Sequence, residues 1–344
     1  MSPETPIDEF DEFREADLPA WVGLPTFMKL PLCPDDASLR AAKPDVAIVG
    51  APFDEGASNR PGARYGPRAI RAASYLAGDI WSIQLEVDVF KVIRCVDAGD
   101  APVVPARPER AHRVIREKVR RVANAGVIPI VLGGDHSITY PSAAAVSEVH
   151  RPRKVGIVHF DAHADTAPAP WGSLLSHGTP MRRLIEEGWV AGRNFVQVGL
   201  RGYWPDRATF GWMREQGMRW HTMVEVEERG MEAVLQDAIA EALDGPDAVY
   251  LSVDIDVLDP SAAPGTGTPE PGGLSARELL RSVREIVRRV DLVAMDVVEV
   301  SPPYDQAEIT AMAAHRCVLE ALSALASKRS SGSGPAREAG NEGA

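Results

Sequence analysis

The stretch Asp161-Ala-His163-Ala-Asp165 sets two carboxylates and an imidazole at alternate positions, directly after the run of β-formers Val155–Phe160. In an extended chain, side chains at i, i+2 and i+4 share one side. If the strand persists that far, three metal-type ligands converge on one spot. Carboxylates at that density do not suit a core, because buried charge is costly unless a cation or a set of donors meets it. Taken singly, the segment reads equally well as a polar turn in which Asp and His act as caps.

Three further apolar runs end in the same kind of chemistry. Val127–Leu132 leads into Gly-Gly-Asp-His-Ser, which places His136 just past the run. Val249–Val253 leads into Asp254-Ile-Asp256 and then Asp259-Pro260, and Leu292–Val298 leads into Glu299. A lone His136 is most simply a hydrogen-bonded structural histidine, and Asp254 with Asp256 could cap a turn. Four runs ending this way need a common cause, and open parallel sheets bind ligands beyond the carboxyl ends of their strands. His136, Asp161, His163, Asp165, Asp254 and Asp256 are too many ligands for one tetrahedral zinc but suit two metals sharing bridging carboxylates. Oxygen-rich ligation with two imidazoles and no thiolate favours Mn2+, with Ni2+, Co2+ and Fe2+ as alternatives.

The elements that would position these residues follow a regular rhythm. Short apolar runs at Val46–Val49, Val92–Val96, Val127–Leu132, Val155–Phe160, Phe195–Val198, Val249–Val253 and Leu292–Val298 read as strands, with a weaker one near Arg219–Val224. Between them lie helical patterns. In Glu109–Asn124, Val114, Ile115, Val119 and Val122 mark one face and Gly126 follows as a stop. Met231–Leu243 and Ser275–Val290 are similar, the second with Ser275 as cap and Glu278 three residues on. Strands alternating with helices and apolar almost throughout predict a parallel sheet covered on both faces. Residues 1–43 read as an irregular arm, 44–326 as a single catalytic domain, and 327–344 as a disordered polar tail.

Composition narrows the partners. The net charge of −12 argues against nucleic acid and favours a cationic ligand. No apolar run approaches the roughly 20 residues that span a bilayer, and the acidic N-terminus does not read as a secretory signal. Cys33, Cys95 and Cys317 are odd in number and far apart, which predicts a reducing, cytoplasmic setting rather than disulfides.

The motifs Gly-Gly-Asp-His-Ser, Asp-Ala-His-Ala-Asp, Ser-His-Gly-Thr-Pro and Ser-Val-Asp-Ile-Asp-Val-Leu-Asp-Pro, followed by Gly-Thr-Gly-Thr-Pro-Glu-Pro-Gly-Gly-Leu-Ser, resemble the ureohydrolase family of arginase, agmatinase and relatives. The likeness runs from about Val46 to Leu322. It implies a three-layer α/β/α domain with a parallel eight-stranded sheet, assembled as a homotrimer or homohexamer. It also implies one ion on His136, Asp161, Asp165 and Asp254 and another on Asp161, His163, Asp254 and Asp256, with Asp161 and Asp254 as bridges. Catalytic parts fall to His177, Glu299 and Asp165, and substrate contacts to Glu299, His177 and Thr268. By this likeness Glu299 pairs with a guanidinium, water attacks its carbon to give urea and an amine, and His177 shuttles a proton to the leaving nitrogen. The bland readings are a strand-end salt bridge for Glu299 and a loop-stabilising hydrogen bond for His177.

Two residues after the Asp-Ala-His-Ala-Asp motif, where the arginase pattern has an asparagine for the substrate's α-carboxylate, stands Ala167. The loop Gly56–Arg68 also resembles the agmatinase branch, so agmatine is the expected substrate and putrescine the expected amine. Guanidinobutyrate, guanidinopropionate, proclavaminate-type substrates and free guanidine are the alternatives. Arg60 or Arg64 could meet a substrate carboxylate or simply brace the loop, and Trp171 and Trp204 could shape the far end of the pocket. Two readings from other classes are a single-zinc deacetylase of the wider superfamily and a non-catalytic partner subunit. The presence of all six ligands speaks against both.

Overall fold

The computed structural model describes residues 19–332. Eight strands form the central sheet: β1 Val46–Ala51, β2 Cys95–Asp100, β3 Ile128–Gly133, β4 Val155–Phe160, β5 Phe195–Leu200, β6 Arg219–Thr222, β7 Ala248–Asp254 and β8 Leu292–Val298. All pair in parallel, in the order β2-β1-β3-β8-β7-β4-β5-β6. Parallel strands need crossover connections, and the intervening helices supply them.

The strand period of two divides the apolar residues between two cores. Val46, Ile48, Ile130 and Leu132 point to one, and Ala47, Val49 and Val131 to the other. The first core holds α4 Met231–Ala242, α5 Ala276–Arg289 and α6 Ile309–Gly332. The second holds α2 Pro108–Asn124 packed on α3 Thr139–His150. The result is a three-layer α/β/α fold, as the alternation of runs predicts. The cap of α5 is also as expected, with Ser275 accepting from the Glu278 amide while the Glu278 carboxylate accepts from the Ser275 amide.

Some expectations are corrected. The arm is not irregular throughout, since Asp35 caps a short helix, α1 Asp36–Ala42, too brief to show a periodic face. Residues 1–18 lie outside the described residues. The polar tail expected from Ser327 instead begins as the last turns of α6, which runs to Gly332, and its remainder also lies outside. That helix is long and apolar enough to cross a membrane, but 67% of its apolar window is buried in the protein, as befits a core helix. The run from Val92 splits, with Val89–Val92 turning helically and the strand starting at Cys95. The faint signal near Arg219 is explained by β6 being a half-covered edge strand. Cys33, Cys95 and Cys317 are all buried and free.

The centre of the sheet is the run β3-β8-β7-β4. Phe160 lies opposite Val253, and Val298 opposite Asp254. Parallel neighbours at roughly 4.8 Å spacing thus bring the residues after these strands together at one edge.

Candidate metal centre

Each ligand-bearing strand ends in a turn closed by its own aspartate. Asp161 Oδ1 accepts the His163 amide at 2.6 Å, Asp254 Oδ1 accepts the Asp256 amide at 2.9 Å, and Asp135 Oδ1 accepts the Ser137 amide at 3.0 Å. These Asx turns stop the strands and turn the next residues inward. Convergence therefore does not come from strand periodicity carried through to Asp165. β4 ends at Phe160, and Asp165 has a left-handed φ of 50°. Glu299 is also left-handed, with φ 64°. Backbone of this kind in non-glycine residues collects at functional sites. Gly134 permits the approach of the β3 turn, for a Cβ there would lie 1.7 Å from the Phe53 carbonyl oxygen.

All six expected ligands come together. His136 Nδ1 lies 3.1 Å from Asp161 Oδ2, 3.0 Å from Asp165 Oδ2 and 3.0 Å from Asp254 Oδ2. His163 Nδ1 lies 3.1 Å from Asp256 Oδ2 and 3.4 Å from Asp161 Oδ1. Asp161 thus stands between two groups of ligand atoms, one oxygen toward each. Asp254 turns one oxygen to the first group and gives the other to the Asp256 amide.

The groups behind His136 leave one of its ring nitrogens free to hold a cation. Its Nε2 is 3.0 Å from Ser252 Oγ, and that hydroxyl donates to Asp296 Oδ1 at 2.7 Å. Asp296 Oδ2 accepts from Tyr250 and Thr139. A serine hydroxyl that donates onward must accept from Nε2–H, which leaves the Nδ1 lone pair facing three carboxylates. Nδ1 is buried and makes no hydrogen bond, an arrangement that suits a cation.

The titration pattern has the same origin. Burial works against a charged His136, but Asp161, Asp165 and Asp254 outweigh it and hold its pKa well above the ordinary value. Burial also disfavours charge on His163, yet Asp256 and Asp161 push it up to about 12. Asp254 is driven well above the usual carboxylate range by burial and by the charges of Asp256 and Asp161. Without cations, this cluster must share protons, and divalent ions would replace them.

Sequence reasoning missed His159. It sits two residues before Asp161 on the same strand face and lies close enough to His136 and Asp161 to join a ligand group. Its Nδ1 accepts from the Gln197 amide at 3.0 Å and its Nε2–H reaches Asp161 Oδ2 at 2.9 Å. Both nitrogens are occupied, so His159 orients Asp161 rather than serving as a ligand. Ser252 and Asp296 were missed as well, because serine and aspartate inside strands carry no distinctive spacing.

Beside the ligands, His177 Nδ1 is 3.0 Å from Glu299 Oε1, which also accepts the His136 amide at 2.8 Å. Glu299 Oε2 is buried and has no hydrogen-bond partner. Burial opposes charge on His177, but Glu299, Asp165 and Asp135 outweigh it and lift its pKa to about 9. Its backbone N–H is fixed by Gly56 O at 2.9 Å, and the Gly56 amide by Asp135 Oδ2 at 2.7 Å.

The site opens into a cavity of about 470 Å3 whose walls include Ser58, His163, Asp165, Trp171, His177, Trp204 and Thr268. Thr268 Oγ1 reaches Asp256 Oδ2 at 3.4 Å. Among the described residues, no lysine or arginine lines it. Arg64 pairs with Asp54 and braces its own loop, while Arg60 lies over the Tyr304 ring at 5.3 Å. Trp171 and Trp204 both line the cavity, with Trp171 86% exposed.

Comparison with known proteins agrees with this geometry. Residues 44–324 match the model of the arginase family. A guanidinopropionase of Pseudomonas aeruginosa is 43% identical over 90% of this chain and 94% of its own length. A mitochondrial agmatinase of Gallus gallus is 40% identical over 88% of this chain and 86% of its own length. The solved structure of proclavaminate amidino hydrolase from Streptomyces clavuligerus superposes with a TM-score of 0.83, 39% identity, and coverage of 90% of this chain and 100% of that one.

Proposed function

The chain belongs to the arginase family and is a hydrolase of guanidino C–N bonds, and from that premise we propose that it converts agmatine to putrescine and urea. The reading is carried by one observation. Two groups of ligand atoms sharing Asp161 lie beside a buried carboxylate, Glu299, whose Oε2 has no partner.

His136, Asp161, Asp165 and Asp254 would hold one divalent ion, and Asp161, His163, Asp256 and Asp254 the other. The donor set favours Mn2+, with Ni2+ as the alternative. When bound, such a pair supplies Lewis acidity and a water of lowered pKa. Glu299 accepts guanidinium N–H groups on its free oxygen, a charge-assisted bond that fixes the carbon for attack. Pairing with the guanidinium also offsets the charge that holds the proton on His177, so substrate binding readies His177 as the general acid for the departing amine. Thr268, against Asp256, bounds the space the guanidinium enters.

The preference for agmatine rests on the cavity wall. It carries the indoles of Trp171 and Trp204 and, among the described residues, no lysine or arginine, which suits a second ammonium better than a carboxylate. A guanidino acid is the second reading, favoured by the 43% identity to a guanidinopropionase and by exposed Arg60, whose amide bonds Gly267 O at 3.4 Å. A urea-release screen with Mn2+ or Ni2+ and agmatine, guanidinobutyrate, guanidinopropionate, arginine and guanidine decides between them. Highest kcat/KM on either guanidino acid sinks the agmatine reading, and no urea from any compound sinks the reaction.

A further inference from the structure

We propose that the Ser58 hydroxyl relays the proton between His177 and the leaving nitrogen, a role that rests on the guanidino hydrolase reading above. Both ring nitrogens of His177 are covered. Nδ1 faces Glu299 Oε1 at 3.0 Å, while Nε2 meets Ser58 Oγ at 2.7 Å and the Ser58 amide at 3.1 Å. His177 is 9% exposed, whereas Ser58 is an exposed residue on the cavity wall. Glu299 retains the Nδ1 proton, so the proton available for transfer is the one on Nε2. The group next to that proton is the serine hydroxyl, at 2.7 Å, and Ser58 is the more exposed of the two where both line the cavity.

The transfer balances. As the C–N bond of the tetrahedral intermediate breaks, its electron pair stays on the departing nitrogen. That nitrogen takes the Ser58 hydroxyl proton while Ser58 Oγ takes the proton from His177 Nε2. Serine ends unchanged, imidazolium becomes neutral imidazole, and the amine leaves with its proton. The Ser58 amide assists, because its N–H points at Nε2 and so favours the state with a lone pair there. That amide contact opposes Glu299, which pulls the proton onto the ring, and the opposition keeps the proton transferable. The loop holding Ser58 is set by Asp135, which accepts the Gly56 amide, and by Gly56, where a Cβ would lie 2.8 Å from the Leu175 carbonyl oxygen.

The test compares parent, Ser58→Ala and Ser58→Thr in urea release from agmatine, with metal content measured on each. The relay predicts that Ser58→Ala loses about a hundredfold in kcat, the low end of what a general-acid path contributes, with KM and metal content near the parent's. Ser58→Thr restores most of the rate, and the alanine deficit shrinks for a guanidino compound whose leaving amine is a weaker base. A parent-like kcat in Ser58→Ala overturns the relay, as does a deficit that threonine does not restore and that ignores the leaving group. A parent that releases no urea from any guanidino compound overturns the reaction and the relay together, whereas an active parent matched by Ser58→Ala overturns the relay alone.

Discussion

Glu299 and His177 share a single contact, His177 Nδ1 to Glu299 Oε1 at 3.0 Å, and it leaves the second carboxylate oxygen of Glu299 buried and unpartnered. A buried carboxylate oxygen without a donor is expensive, so the site is poised for a ligand that brings N–H groups and positive charge. Glu299→Gln keeps the shape and an acceptor for the His136 amide but removes the charge. Loss of one member of a buried charge pair costs about 2–5 kcal/mol, which corresponds to at least roughly thirtyfold in kcat/KM. Metal content should stay at the parent value, because Glu299 belongs to neither ligand group. Normal turnover by Glu299→Gln would remove the carboxylate from substrate binding.

The ligand geometry predicts two divalent ions per chain after reconstitution, by elemental analysis. His163→Ala removes the only imidazole of the group around Asp256 and should leave one ion and almost no urea production. The carboxylates that share protons in the bare site gain a cation in the loaded one, so Mn2+ should raise the thermal midpoint, and less so in His163→Ala. A parent that binds fewer than two ions, or a rate undiminished by chelation, sinks the bimetal reading.

The cluster of His136, Asp161, His163, Asp165, Asp254 and Asp256 was legible in the sequence because each follows one of three recognisable apolar runs, and with the run before Glu299 these are neighbours at the centre of the sheet. Less legible was how they converge. Alternation suggested a strand reaching Asp165, whereas Asx turns at Asp135, Asp161 and Asp254 and the left-handed Asp165 do the work. Residues whose role depends on a partner far along the chain were invisible. His159 acts through Gln197, Ser252 through Asp296, and Ser58 through His177, and nothing in the spacing of serine, glutamine or a strand histidine announces such pairs. The edge strand β6 and helix α1 were faint because each is short and only partly covered, so burial had imposed little pattern on them.

Away from the site, His315 lies fully buried against Phe27, with ring centroids 4.4 Å apart, and its Nδ1–H donates to Ile70 O. Burial pushes its pKa down from the usual 6.5 to about 4. Between those values the unfolded chain takes up a proton that the folded chain refuses. The stabilising term is therefore complete above pH 6.5 and is lost as pH falls through about 4. At about 1.4 kcal/mol per pKa unit, the loss amounts to about 3 kcal/mol at most. Denaturant midpoints measured across this window should fall less steeply for His315→Gln than for the parent. Equal slopes would show that His315 does not couple folding to protons.

Trp171 lies on the cavity wall with 86% of its surface exposed and a left-handed φ of 48°. Its position gives an ammonium at the far end of a substrate an aromatic face, and an exposed contact of that kind is worth about 0.5–1 kcal/mol. Trp171→Ala should therefore raise KM for agmatine about two- to fivefold while leaving kcat and metal content near the parent values, since Glu299, His177 and the ligands are untouched. Guanidine has no distal ammonium, so its KM should not change. The comparison separates a cation contact from general disorder of the loop, which would weaken both compounds alike. An unchanged KM for agmatine, or an equal rise for guanidine, would remove Trp171 from substrate selection.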